Sequence, residues 1–345
     1  MEKIDVEPTG AFVVIDLDHC SRSSGKVRRA RKILQSSTKD LARSLTYSFA
    51  AFEQQVSGAS AGVNAEDDEA ADAVTSFVTA ISPLVESGKF SPDPGKGVTE
   101  EQLAPLRSSE QRSQLLFSPT DRGVFREQLT AHSVATTLAA ALGGLDGRTV
   151  AIEGFSKSSI PLVREITALG GKVTAIGTSA GTAASANGFL ADSLPHGFNE
   201  FGAGIVAELG VEPEGAWAIW GSAVDAIVPS TKMGVVSHGV ADNIAAPVIV
   251  PGTEVPITAK ALAHLRRADK AAYPDFVSLA GPVVADAANA DSTDAMRSAV
   301  TDQISAMVET IKDHEDGPLL AGCYQAESFL STWRDELPFG RPLAP

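Results

Sequence analysis

The first third of the chain carries apolar residues in several distinct rhythms. "AFVVIDLD" (11–18) is a short, almost continuous apolar run of strand length. Leu41, Leu45, Phe49 and Phe52 then recur at helical spacing and predict a helix over about 38–56. Val74, Phe77, Val78, Ile81 and Leu84 mark the buried stripe of a second helix over about 66–86, whose acidic first turn suits the helix dipole. Between these elements "SRSSGKVRRARK" (21–32) reads as a basic loop and "SGASAGVN" (57–64) as a small-residue turn whose backbone can approach another group closely. "SGKFSPDPGKG" (87–97) is turn chemistry throughout.

A helix from Thr120 to about Gly143 leads into "GRTVAIEGF", after which short apolar runs alternate with helix-length or loop-length connections. The runs are "TVAIEG", "KVTAIGT", "AWAIW", "AVDAIVP", "APVIVPG" and "AAYPDFV". Such alternation predicts a parallel sheet covered by helices on both faces. From Asp294 the pattern is helical again, through "DAMRSAVTDQISAMVETIKDH" and "LLAGCYQAESFLSTW".

Composition narrows the class. A chain of 345 residues, 43% hydrophobic and 21% charged, predicts two globular domains. The excess of 43 acidic over 28 basic residues, a net charge of -15, repels a phosphate backbone, so no nucleic-acid partner is expected. Cys20 and Cys323 lie at opposite ends of the chain and the six histidines form no ligand pair, so neither disulfide nor metal is expected. With no signal-like apolar segment and no membrane-length run, the expected compartment is the cytoplasm, with no membrane partner.

The stretch 224–284 carries Asp225, Pro229, Gly252, Pro256, Pro274, Asp275, Ala280 and Gly281. Together with "LTYSFAAFEQQVSGASAGV" (45–63) and "SPDPG" (91–95), it resembles the glutamate/leucine/phenylalanine/valine dehydrogenase family, whose members oxidatively deaminate amino acids with NAD or NADP. The resemblance implies an α/β protein of two domains. These are an N-terminal substrate and oligomerisation domain (1–118) and a Rossmann-like, doubly wound NAD(P)-binding-type domain (119–290), with C-terminal helices (291–345) packing back across the cleft. It also implies a homo-oligomer.

In such a family site one lysine anchors the substrate carboxylate, a second activates water, and an aspartate shuttles protons. Asp93 matches the aspartate, whereas the two lysine positions, twelve apart, hold Ser48 and Ser60. Serine has no charge for a carboxylate and offers no amine, which compromises both anchoring and activation. Further departures agree: Glu254 stands where the family places asparagine against the nicotinamide, Leu279 where asparagine approaches the substrate, Pro282 at the second glycine of a pair, and Asp286 near a usual serine. Thr130 matches the family's threonine on the long helix before the sheet, although His132 and Ser133 follow it where glycines are usual.

The segment "IEGFSKSSIP" (152–161) occupies the place of the dinucleotide turn. Gly154 fits the sharp bend, but Ser156 and Ser159 stand at the second and third fingerprint glycines, where side chains obstruct a dinucleotide. The bland alternative is a βα connection with Ser158 or Ser159 as helix cap and Pro161 in the first turn. Lys157 with its serines offers a place for an isolated phosphate, a small anionic or nucleotide ligand. At the end of the next strand Thr178 and Ser179 replace the ribose-binding acid, which favours NADP over NAD if either binds; a plain loop is the alternative.

Other signals have ordinary readings beside the functional ones. Asp93 is either a proton shuttle or a turn residue, and Ser48 and Ser60 are helix and turn serines rather than nucleophiles. Arg28, Arg29, Arg31 and Lys32 are a solvated face or a contact to another subunit or anion, and Trp217 and Trp220 are expected in the core. The expected function is a diverged amino-acid-dehydrogenase-like protein with deamination lost or strongly reduced, serving as an oligomeric binding or regulatory subunit. The alternative is an NADP-linked oxidoreductase on an amino acid or related amine.

Overall fold

Small and charged residues turn out to build the first sheet. A computed structural model describes residues 1–7, 9–120, 123–189, 192, 194 and 200–345. The chain divides into two compact units, Met1–Phe117 with Cys323–Pro342, and Ser118–Gly322 with Leu343–Pro345.

In the first unit the strands are β1 (Glu2–Val6), β2 (Ala11–Ile15), β3 (Ser23–Ala30), β4 (Ser57–Asn64) and β5 (Ser91–Pro94), ordered β1-β2-β4-β3-β5. β2 runs antiparallel to β1 and β4, and β3 runs parallel to β4 and β5. On one face Val13, Ile15, Val27, Ala59, Ala61 and Val63 pack against Phe77, Ile81 and Val85 of α2 (Ala70–Glu86) in one hydrophobic core. On the other, Phe12 and Val14 meet Ala42 of α1 (Gln35–Ala51).

Three expectations are corrected here. The basic loop 21–32 is mostly strand β3, whose alternating Ser24, Lys26 and Arg28 hide a two-residue period because the polar face is not a solvent face. The small-residue turn 57–64 is β4, a strand paired on both sides. Its residues are small because α1 lies directly on it: a Cβ at Gly58 would stand 1.9 Å from the Ala42 carbonyl oxygen. Within 87–97, Ser91–Pro94 forms β5 at the sheet edge, where proline costs no interior ladder bond.

After the short capped helix α3 (Glu100–Leu103), the second unit opens with the hairpin β6 (Pro119–Thr120) and β7 (Gly123–Val124), then α4 (Phe125–Leu142). Its main sheet has strands β8 (Thr149–Glu153), β9 (Lys172–Thr178), β10 (Gly181–Ala184), β11 (Ala226–Pro229), β12 (Val248–Ile249) and β13 (Ala271–Ala272). Their order is β10-β9-β8-β11-β12-β13, parallel except for β10. The connecting helices include α5 (Ile160–Ala168), α6 (Ala259–Arg267) and α7 (Thr293–Ile311); α8 (Pro318–Leu330) follows α7. "AWAIW" is not a strand but part of the 3-10 helix Ala216–Gly221, which turns Trp220 inward and leaves Trp217 56% exposed. Among the described residues no helix is long and apolar enough to cross a membrane.

Ion pairs fix two corners of this unit. Arg297 and His132 both hydrogen-bond the Glu165 carboxylate, joining α7, α4 and α5, and His132 Nε2 meets Thr301 Oγ1 at 2.9 Å. Asp225, just before β11, accepts from Thr149 N and Thr149 Oγ1, both at 2.8 Å, and from Arg148. The Thr149 amide holds the Asp225 carboxyl below the ordinary range, aided by the Thr149 hydroxyl and Arg148 against a smaller opposing effect of burial. A carboxylate whose folded pKa is depressed stabilises the fold fully above its unfolded pKa and loses that contribution as pH falls through the folded value. Asp225→Asn is therefore expected to lower stability at neutral pH and to flatten its decline below about pH 4. Urea midpoints measured across pH check this; an unchanged acid slope would refute it.

Candidate functional site

The strand order of the second unit reverses between β8 and β11, since the chain proceeds outward through β9 and β10 on one side and through β12 and β13 on the other. Open α/β sheets bind ligands outside the carboxyl ends of the strands at such a point. There, Gly154 takes the left-handed conformation (φ +73), and a Cβ on it would stand 2.5 Å from the Thr231 amide nitrogen. Gly252, beyond β12, is equally close-fitted: a Cβ would stand 2.3 Å from Ser230 Oγ. The loops after β8, β11 and β12 thus interlock.

What fills this point is the protein's own carboxylate. Glu153, the last residue of β8, accepts the Ser230 amide at 3.1 Å and the Thr231 amide at 3.3 Å on Oε2, while the Thr231 hydroxyl donates to Oε1. Beside it Ser156 and Ser159 form a reciprocal capping box, with the Ser156 amide donating to Ser159 Oγ at 3.1 Å. Ser158 Oγ lies 2.7 Å from Ser156 Oγ, so hydroxyls flanking Lys157 bond to one another and to the backbone. Pro161 lies in the first turn of α5.

The remaining positions of this unit are distributed around that edge. Thr178 ends β9, its hydroxyl donating to Ala203 O at 2.7 Å and accepting from Ala180 N, and Ser179 beyond it is exposed. Thr130 lies on α4 with its hydroxyl donating to Arg126 O at 3.2 Å. Glu254 is half-buried in the loop after β12, next to Val255, which takes a left-handed φ of +49. Such a conformation is costly for a β-branched residue, and the buried Asp275 carboxylate holds it by accepting the Val255 amide at 2.8 Å.

In the first unit, Ser48 is buried on α1 and Ser60, expected within a turn, is buried in mid-β4. Asp93 is buried on β5, and β3 runs between it and Ser60. The register places Lys26 directly opposite both, Lys26 with Ser60 on one side and Lys26 with Asp93 on the other. With strands about 4.8 Å apart, Ser60, Lys26 and Asp93 form one row about 10 Å long. Arg112 Nη1 donates to Asp93 Oδ1 at 3.0 Å and to Ser24 Oγ at 3.2 Å. Behind it Arg112 also binds Glu110, and Arg107 joins Glu110 to Glu100, so a ladder of alternating charges ends on Asp93. Phe117 lies under this ladder, 4.0 Å from the Arg107 guanidinium carbon.

Lys26 and Arg112 escape a reading by sequence. Lys26 sits in what looks like a basic loop, and Arg112 lies nineteen residues beyond Asp93 in an irregular segment. The usable signal for Lys26 is the alternation Ser24, Lys26, Arg28 beside Gly25 and Val27. For Arg112 only the fold brings the partners together.

These features define a two-unit α/β protein with a Rossmann-like parallel sheet. The glutamate/leucine/phenylalanine/valine dehydrogenase family model matches residues 124–324, more than half of the chain, and the chain belongs to that family. No curated protein sequence matches it. Among solved structures, a hetero-hexameric glutamate dehydrogenase from Thermus thermophilus in its Leu-bound form superposes with a TM-score of 0.75 at 17% identity, covering 95% of this chain and 87% of that one. Another glutamate dehydrogenase gives 0.77 at 16% identity, covering 97% and 87% of the two chains. The Plasmodium falciparum enzyme gives 0.74 at 15% identity, covering 96% and 84%. At these identities the likeness is one of fold.

Proposed function

We propose that the chain is an amino-acid-dehydrogenase-like binding or regulatory subunit of an oligomer, in which oxidative deamination is lost or strongly reduced. The observation that carries this reading is the Glu153 carboxylate on the Ser230 and Thr231 amides at the strand-order reversal. A dinucleotide brings anionic phosphates to this edge of the sheet, where backbone N–H groups favour them. Here the Glu153 side chain accepts the Thr231 amide and shares the Ser230 amide with the Glu153 main-chain carbonyl, and its negative charge repels a phosphate brought beside it. The capping box of Ser156 and Ser159 fills the adjoining turn with side chains and local hydrogen bonds. The residues present therefore do not fit a dinucleotide in its usual pose. Ser48 and Ser60, at the positions the family resemblance assigns to lysines, point the same way. The hetero-hexameric assembly of the Thermus thermophilus relative supports a place for a subunit of this kind beside others.

Titration with NADPH and NADH, followed by nucleotide fluorescence and thermal shift, tests the reading. No saturable signal is expected; saturation at micromolar nucleotide would overturn it. The competing reading, an NADP-linked oxidoreductase, draws on Thr178, which leaves no carboxylate at the end of β9 to select a free ribose hydroxyl, and on Lys157 in the turn. Saturation by NADPH in preference to NADH would favour it.

A further inference from the structure

We propose that Thr301 is an acyl-acceptor site, a hydroxyl that attacks an activated ester while His132 takes its proton and Glu165 holds the His132 ring. The three side chains come from different helices of the second unit, Thr301 from α7, His132 from α4 and Glu165 from α5. His132 Nε2 lies 2.9 Å from Thr301 Oγ1, and His132 Nδ1 lies 2.9 Å from Glu165 Oε2. A hydroxyl on an imidazole whose other nitrogen meets a carboxylate is the arrangement that activates a weak nucleophile. None of the three residues belongs to the Glu153 crevice, and acylation here is independent of the binding-subunit reading.

The surroundings of the ring decide which nitrogen carries the hydrogen. Arg297 Nη2 donates to Glu165 Oε1 and Oε2 at 2.8 and 2.9 Å, and it lies 3.2 Å from His132 Nδ1. Burial raises the Glu165 carboxyl, but the hydrogen bonds from His132 and Arg297 outweigh it and hold the group below the ordinary carboxylate range. An ionised carboxylate only accepts, so Nδ1 carries the hydrogen and Nε2 keeps its lone pair. The His132 and Glu165 side chains are 13% and 19% exposed, which limits competition from water for this bond. Thr301 is exposed, so its hydroxyl is open to a substrate. That hydroxyl has two acceptors, Nε2 at 2.9 Å and the Arg297 carbonyl at 3.1 Å, and rotation about its C–O bond selects between them. In the transfer, Thr301 Oγ1 bonds to the ester carbonyl carbon and its proton passes to Nε2. The bond from that carbon to the leaving oxygen then breaks, and Nε2 returns the proton to the departing alcohol. The Arg297 guanidinium, one turn before Thr301 on α7, favours the negative charge that develops on the carbonyl oxygen. Glu165 acts as a positioning residue.

The test treats the full chain with p-nitrophenyl acetate and follows acetyl groups by peptide mass spectrometry. Thr310 is the internal control: it is exposed on the same helix and its hydroxyl donates to Ala306 O at 2.8 Å, much as Thr301 donates to Arg297 O. Thr301 is expected to acetylate at least about 100-fold faster than Thr310, the scale of general-base assistance, and His132→Gln to remove that advantage. Thr301→Ser should keep acetylation at residue 301 and Thr301→Val should abolish it. Equal rates at Thr301 and Thr310 in wild type, or an undiminished Thr301 rate in a folded His132→Gln protein, overturn the proposal. Should His132→Gln not fold, the wild-type ratio alone decides. Nitrogen shifts of the His132 ring are expected to show the Nδ1–H form in wild type, lost in part in Glu165→Gln; the Nε2–H form in wild type overturns the proposal. NADPH titration of the same samples judges the cofactor-free reading separately, because nucleotide binding would overturn that reading without moving the Thr301 result.

Discussion

Arg43→Met is expected to destabilise the first unit by about 3–5 kcal/mol, the cost of leaving a buried charge without its partner. Arg43 on α1 binds Asp16 with two nitrogens, Nε to Oδ2 at 2.7 Å and Nη2 to Oδ1 at 2.8 Å, and the Asp16 side chain is wholly shielded from solvent. Its Nη1 donates to the Phe339 and Gly340 carbonyls, pinning a C-terminal turn to the same corner. Removing the guanidinium therefore strands one carboxylate and two carbonyls at once. Thermal and urea unfolding measure the loss. The double variant Arg43→Met, Asp16→Leu should recover much of it, because the uncompensated charge is then gone. A single-variant loss below about 1 kcal/mol, as for an exposed ion pair, would contradict the account.

Gly58→Ala is the second large effect, expected to cost about 3 kcal/mol, at the upper end for overpacking. The added methyl group would meet Ala42 O at 1.9 Å and Thr46 N at 2.4 Å, and both are helix backbone that cannot turn aside. The Gly58 amide also donates to Thr46 Oγ1 at 2.9 Å, so a shift of α1 to relieve the clash gives up that bond. Gly239→Ala, where nothing lies within 4 Å, is the control and should stay within about 0.5 kcal/mol. Equal stability of the two variants in urea would mean that α1 does not bear on β4 as described.

How far the chain discloses itself depends on how local the cause is. Val74, Phe77, Val78 and Ile81 repeat on one helical face, so α2 is legible, and its observed start at Ala70 differs from the expected one by a few residues. The runs at Thr149–Glu153 and Lys172–Thr178 are legible because a parallel strand buried on both faces is apolar along its length. β3 and β4 are not: Gly58 is small for the sake of Ala42, and Lys26 is charged within a polar row, neither of which a local window contains. "AWAIW" has strand composition but becomes a 3-10 helix, since its alternation does not record which residues find a partner strand.

By itself the sequence determined the α/β class, the family membership that the family model bears out, and the strand before the Gly154 turn. Those are matters of residue identity and short-range periodicity. Only the tertiary structure decided that Glu153 answers the Ser230 and Thr231 amides, that Lys26 lies between Ser60 and Asp93, and that Arg112 holds Asp93. Each pairing joins residues on separate strands or loops. Strand order and register bring them together, and both are settled by the packing of the whole sheet rather than by any segment of it.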